Sequence, residues 1–495
     1  MHRDEPGWQA VGVLTDSAIA ALRADLLSVD YTLDAVSARL GDTALAALAR
    51  NSTMAAARVL GDATDAQADA IRLWLLQQPV PAARLQGWTS LPALLSAGLV
   101  AGDTQLTATV EIKPHGSDRR DGWICSDHTP LDGQVAQPRP DFVLGASSAS
   151  TTLTQLVPQR HYGRVLDLGT GCGIQALHLD ADTIVGTDLN PRALDLARIT
   201  LGLSGVAADL RLGSLYEPVP GEQFDLILTN PPYVLSPPSD DRLVYREAGF
   251  TGDDLMREVV SGAADHLTGD GLLVVLGNWP EGARPWRERV AEWIPAGCDA
   301  LVLQRELLDA FEYVELWLAD AGLVGTAEYR PRYAEWLDYF DAVGIESVGM
   351  GWLALRRSGR GEPELRLEEW PHAVHQPVGE AVADFFDAMG PSRLPDAEFL
   401  AGTWRTHPGL VQETVGAPGA EHPRHIVLRQ RYGLGRATEV DTAVAAIVGA
   451  CDGDLPLGVL VGAVAGLLDV DPDALAAEVL SPLRRLVLDG YLLPS

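Results

Sequence analysis

The sequence predicts an α/β chain: a mostly parallel sheet in the middle, a mainly helical region before it and a second region after it that ends in helices. Three observations carry this. From Gly163 onward, apolar strand-like runs alternate with helical stretches, the pattern of βαβ units. The stretch from Ala18 to Leu99 is instead Ala- and Leu-rich at helical spacing. At 495 residues the chain exceeds the roughly 250–300 residues that one hydrophobic core accommodates.

Taken in order, AIAALRADLLSVDYTLDAVSARLG and its continuation read as helices interrupted at Gly41, Gly61 and Pro79–Pro81. LPALLSAGLVAGDTQLTATVEIKP followed by DGWICSDHTPL reads as a helix feeding a two-stranded ribbon, a winged-helix outline. This first domain is expected over 1–131. A Pro-, Gly- and Ser-rich linker covers Asp132–Ser150. The strands RVLDLG, IVGTDL, LRLGSL, FDLILTN and GLLVVLGNW follow, and CDALVLQREL and SVGMGWLALRR complete the sheet domain at 132–357, with a helical insertion at about 316–344. The C-terminal domain, 358–495, ends in three helices and a short strand, again with winged-helix outline.

Composition narrows the function classes. The formal net charge is −31, which repels polyphosphate chains unless a local basic stripe offsets it. Only one of the 37 basic residues is a lysine, Lys113. Cys125, Cys172, Cys298 and Cys451 form no C-x-x-C pair, and the histidines show no metal-ligand spacing, so a reducing cytoplasm and no metal are expected. No stretch of about 18 apolar residues suggests a membrane span. Nothing in the sequence assigns an oligomeric state.

The run Arg164-Val165-Leu166-Asp167-Leu168-Gly169-Thr170-Gly171-Cys172-Gly173 takes a buried strand into a turn with glycine at alternate positions, where the backbone turns sharply and a ligand can approach. Asp188 closes the next strand, at the distance from which an acid binds both hydroxyls of a ribose. The G-x-G-x-G spacing, rather than G-x-G-x-x-G, suits an uncharged nucleoside with an amino-acid tail better than a dinucleotide. Cys172 reads as a small residue packed inside the turn.

Asn230-Pro231-Pro232-Tyr233 stands at the carboxyl end of FDLILT, where open α/β sheets bind ligands. A planar amide or exocyclic amine has a delocalised lone pair, and acceptors on its N–H groups redirect that pair. The Asn230 oxygen and the Pro231 carbonyl are suited to this, and Tyr233 to stacking on the planar group.

Together these motifs resemble the class I S-adenosylmethionine-dependent methyltransferases of the NPPY type. These include the glutamine methyltransferases of release factors and ribosomal proteins and the amino methyltransferases of nucleic-acid bases. The whole chain also resembles an actinobacterial type of methyltransferase. The resemblance covers about Asp141–Arg357 and implies a Rossmann-like seven-stranded domain that uses S-adenosylmethionine. It implies cofactor contacts at Asp167, Gly169, Thr170, Gly171, Gly173, Asp188, Leu189, Ser214, Leu215 and Asn230, and catalytic roles for Asn230, Pro231 and Tyr233. Ser214 stands where the family usually carries an acid beside adenine. Arg246–Asp254 is similar to the Gly- and Asp-bearing segment that follows NPPY in the release-factor enzymes, and Leu144–Thr152 is placed to close over the methionine end of the cofactor.

The expected reaction is methyl transfer to a planar amide or amino nitrogen, with a polypeptide favoured as partner. The alternatives are an RNA or DNA base and a small molecule of secondary metabolism. A DNA-binding regulator with a degenerate core is disfavoured by the intact Asn230–Tyr233 motif.

Overall fold

A computed structural model describes residues 14–117, 119–134, 139–238, 253–418 and 424–495. Two compact units divide the chain: residues up to Thr154 with His161–Cys298 and Val302–Gly359, and a second of Gln155–Arg160, Asp299–Leu301 and Arg360–Ser495.

The first unit opens with helices α1 (Asp16–Ser28), α2 (Leu33–Leu48), α3 (Met54–Leu60) and α4 (Ala66–Ala70). Thr15, Thr32 and Asp65 cap α1, α2 and α4 by accepting backbone N–H groups that have no partner in the first turn. Then come β1 (Val80–Pro81), α5 (Ala82–Leu85), α6 (Leu91–Ser96), β2 (Val100–Ala101) and β3 (Gln105–Ala108), with β3 pairing antiparallel to both β1 and β2. These strands form a small three-stranded sheet beside the helices, and the ribbon expected to follow α6 is shorter than the sequence suggests. Residues 111–126, read as part of the wing, form a separate ribbon of β4 (Glu111–Gly116) and β5 (Asp121–Ser126). The reason is packing. The amides of Trp123 and Cys125 donate to the hydroxyls of Ser204 (3.0 Å) and Thr200 (2.9 Å) on a helix of the sheet region. The described part of the expected N-terminal domain lies in the same compact unit as the sheet.

That sheet is assembled after α7 (Ser148–Leu156) from β6 (His161–Leu168), β7 (Asp180–Asp188), β8 (Asp209–Leu212), β9 (Phe224–Thr229), β10 (Leu267–Glu281), β11 (Cys298–Asp309) and β12 (Ser347–Arg357). Within this unit the strand order is β11-β12-β10-β9-β6-β7-β8. Neighbours from β10 to β8 run parallel, whereas β12 is antiparallel to β10. This is a Rossmann-like, mostly parallel α/β sheet. Val165, Leu166, Leu226, Ile227, Leu273 and Val274 are buried, as continuous apolar strands covered on both faces must be.

Helix α8 (Pro191–Ser204) crosses between β7 and β8. Asn190 caps it by accepting from the Arg192 amide, Pro191 opens it, and Gly205 at φ +70° closes it. Helices α9 (Asp254–His266) and α10 (Trp286–Ala291) complete the crossovers. The expected insertion consists of α11 (Ala310–Asp320), started by an Asp309/Glu312 capping box, and α12 (Tyr329–Val343). It packs through Tyr313, Leu318, Trp336 and Phe340 against Val234 and Leu235, just past the NPPY motif.

The second unit contains β13 (Leu365–Glu369), α13 (Gly379–Ser392), α14 (Asp396–Ala401), β14 (Thr403–Thr406), β15 (Leu410–Val415), β16 (His425–Gln430) and β17 (Ala437–Val440). It ends with α15 (Thr442–Ala450), β18 (Asp452–Pro456), α16 (Leu457–Leu468), α17 (Pro472–Leu488) and β19 (Leu492–Pro494). The three terminal helices and the short strand are where they were expected. The strand that pairs with both β18 and β19, however, is β14 from far upstream. Phe399, Trp404, Ile447, Leu457, Val479, Leu483 and Tyr491 form the core of this unit.

Candidate active site

The carboxyl ends of β6, β7, β8 and β9 lie side by side, with Leu168 opposite Thr187 and Asp188 opposite Leu212. The Thr229 hydroxyl donates to the Leu168 carbonyl at 2.6 Å, tying the end of β9 to that of β6 and setting Asn230 beside the glycine turn. A cavity of about 260 Å³ opens here.

The turn is folded by the sheet itself. The amides of Gly169 and Thr170 both donate to the Thr187 carbonyl, at 2.9 and 2.8 Å. Gly169 (φ +74°) and Gly171 (φ +54°) adopt the left-handed conformation, and a Cβ on either would project into open space. Asp188 is held from both sides: one oxygen accepts from the Gly171 amide (2.9 Å) and the other from the Asn190 amide (2.8 Å). Burial raises its pKa while these amides oppose the rise. Asp167, 2% exposed, accepts from the Thr170 hydroxyl at 2.6 Å. Burial outweighs that bond, with the Asp188 charge adding to it, and its pKa is pushed up to about 7.

Of the expected residues, Asp167, Gly169, Thr170, Gly171, Asp188, Leu189, Ser214, Leu215, Asn230 and Pro231 all line this cavity. Gly173 does not. Its φ is +80° and an added Cβ would lie 3.2 Å from that of Ala197, so the third glycine serves close packing of the turn on α8. Tyr233 is not a lining residue either. Its amide donates to the Pro231 carbonyl at 2.8 Å in a tight turn, so that carbonyl already has one donor. Burial, with the charges of Asp320 and Glu306 adding to it, pushes the Tyr233 hydroxyl up to about 12.

Asn230 is the most informative side chain. Its Oδ1 is buried and has no hydrogen-bond partner among the described residues, and neither Pro231 nor Pro232 has an N–H to offer it. The buried Thr187 hydroxyl, also on the cavity wall, has none among them either. Cys172 lines the turn, but burial pushes its thiol up to about 12, the opposite of an activated nucleophile.

Sequence reading missed Phe142, Gln175, Thr187, Asn190 and Leu255 on the wall. The Asn190-Pro191 cap was a usable signal for one of them. Leu144 and Ser150, from the segment expected to close over the cofactor, do line it. Arg246–Gly252 falls outside the described residues. Among the described residues no group of three or more His, Cys, Asp or Glu could hold a metal, and no helix is long and apolar enough to cross a membrane. All four cysteines are buried and free.

Residues 145–290 match the family model described as "Methyltransferase small domain". Residues 28–110 and 391–494 match two models described as domains of unknown function, DUF7059 and DUF7782. Among curated proteins, the ribosomal protein uL3 glutamine methyltransferase of Bradyrhizobium diazoefficiens is 35% identical over 126 residues, 22% of this chain and 39% of that protein. The release factor glutamine methyltransferase of Deinococcus radiodurans is 39% identical over 127 residues, 23% and 44% of the two chains. The chain thus spans less than half the length of these relatives. Among solved structures, a ribosomal protein L11 methylase from Lactobacillus delbrueckii subsp. bulgaricus has a TM-score of 0.20 at 22% identity, covering 26% of this chain and 58% of that one, too low a score to carry argument. The glycine turn, Asp188 and Asn230 all lie within the residues that match the methyltransferase small domain.

Proposed function

We propose that the chain is an S-adenosylmethionine-dependent N-methyltransferase whose acceptor is a planar amide nitrogen of a polypeptide, such as a glutamine side chain. The observation that carries this is the buried Asn230 oxygen with no partner among the described residues, on the wall of a cavity whose other wall is a glycine turn beside Asp188.

The residues fit the cofactor. Gly169 and Gly171 leave open space for an amino-acid tail, Asp167 offers a carboxylate to its ammonium, and Asp188 keeps free lone pairs for ribose hydroxyls. Leu189, 59% exposed, and Leu215 offer apolar surface to a base. When bound, the cofactor supplies an electrophilic methyl group on a sulfonium centre.

The chain's own part is alignment. Asn230 Oδ1 accepts one N–H of the acceptor amide, and the remaining lone pair of the Pro231 carbonyl accepts the other. Both bonds raise electron density on nitrogen and fix its rotation, and the methylated nitrogen releases a proton to solvent. Most of the acceleration then comes from positioning and preorganised acceptors.

Two observations support a polypeptide partner. The curated relatives named above are glutamine methyltransferases of a ribosomal protein and a release factor. The charged groups bearing on Tyr233 are the exposed carboxylates of Glu306 and Asp320, which disfavour a phosphate backbone beside the acceptor. Incubation with methyl-labelled donor and cell extract, followed by protease or nuclease, tests the reading. Protease-sensitive label located on a glutamine supports it, and nuclease-sensitive label overturns it in favour of a base.

A further inference from the structure

The N-terminal flank runs alongside the cofactor cavity as a splint on α8. Contacts recur along the helix toward its first turn: the Trp123 amide to Ser204, the Cys125 amide to Thr200, and then Asp127 to Arg192. Asp127 leaves β5 as a buried carboxylate, 7% exposed, and meets an Arg192 guanidinium whose side chain is 11% exposed. One Asp127 oxygen accepts from Arg192 Nη2; the other accepts from Arg192 Nε at 3.2 Å and from the Val143 amide at 2.9 Å. The Asp127 amide returns a bond to the Val143 carbonyl at 3.1 Å. Phe142, Val143 and Leu144 form one wall of the cavity.

A second anchor lies one residue pair away. The Asn190 side chain donates to the Asp141 carbonyl at 3.0 Å, and the Asn190 amide donates to Asp188, the carboxylate assigned to ribose. At the far end of the same stretch, buried Gln175 donates to the Ser150 carbonyl at 3.0 Å. The wall formed by residues 141–150 contains no regular element before α7, so its shape depends on these polar anchors.

We infer that Asp127 is a positioning residue: paired with Arg192, it holds the 141–144 wall against the cofactor cavity and couples the N-terminal flank to cofactor affinity. The proposal rests on the cofactor reading above. Asp127 itself is not among the lining residues, so its effect passes through Val143.

The test uses the full chain with S-adenosylhomocysteine as probe, measured by titration calorimetry, together with amide hydrogen exchange over 141–146. Asp127→Asn is expected to weaken binding at least about tenfold, the worth of one charge-assisted bond. It should also speed exchange at 141–146 while leaving 224–229 on β9 protected. Where the single variant leaves Arg192 without a partner and fails to fold, the double variant Asp127→Asn with Arg192→Gln removes that charge and reads the same quantity, while Arg139, 3.7 Å from Asp127, keeps its ion pair with Asp141. The two changes should also be less than additive because they break one network. Equal affinity in wild type and either variant overturns the positioning role. A wild-type protein that fails to bind S-adenosylhomocysteine overturns the cofactor reading, and the proposal with it.

Discussion

The two sides of the cavity differ in how their polar groups are satisfied. On the cofactor side, each carboxylate already has partners within the protein: Asp188 has the Gly171 and Asn190 amides, and Asp167 has the Thr170 hydroxyl. On the acceptor side, the buried Asn230 oxygen has none among the described residues. A buried acceptor without a partner costs roughly 1–3 kcal/mol. The cofactor-side carboxylates are thus satisfied by folding, whereas the Asn230 oxygen has room for a donor brought from outside.

If that contrast holds, the largest effect should come from Asn230→Ala. Turnover is expected to fall by about 10²–10³-fold, the worth of one preorganised polar group, while affinity for S-adenosylhomocysteine stays within about twofold. Single-turnover assays beside calorimetry check this, and a parallel loss of affinity would break the division between the two sides.

Asp188→Ala comes next. It should weaken cofactor binding by about 1–3 kcal/mol, and by calorimetry unchanged affinity would remove the ribose assignment.

Asp167 sharpens the contrast through pH. Its folded pKa, near 7, lies above the ordinary carboxyl value, so between about pH 4 and 7 the folded protein binds the extra proton. Its contribution therefore makes the cofactor-free protein more stable as pH falls through that window, and less stable above it. Affinity for the ammonium-bearing cofactor should move the other way, dropping about fivefold from pH 7 to pH 6. Asp167→Asn should flatten both dependences, read by thermal unfolding and by calorimetry. The smallest effect is expected at Cys172→Ala, where turnover should change less than about threefold because the thiol stays protonated at neutral pH.

Much of this site was legible because its signals are local. Asp167, Asp188 and Asn230 each end an apolar strand, and strand ends in a parallel sheet converge whatever the loops do. Gly173 lies off the cavity wall, and the sequence could not tell it apart because a glycine needed for close helix packing has the same spacing as one needed for a ligand. Tyr233 was placed by its motif, yet the tight turn at Pro231 takes it off the cavity wall. The 141–145 wall was hidden for another reason: a Pro- and Gly-rich stretch reads as a linker, and its order comes from Asp127, Arg192 and Asn190, whose contacts no periodicity reports. The same limit applies to residues 111–126, whose ribbon is set by Thr200 and Ser204 some 75–80 residues away.

The second unit gives that non-locality a temporal meaning. Its strand β14 is completed on one edge by Asp452–Pro456 and on the other by Leu492–Pro494. During synthesis at about 5–20 residues per second, Thr403–Thr406 leaves the ribosome seconds before either partner. Until then it exposes two open edges that invite foreign strands. The unit consequently matures only after its last residues emerge, and a ribosome stalled before Leu492 would release a chain primed for aggregation or degradation.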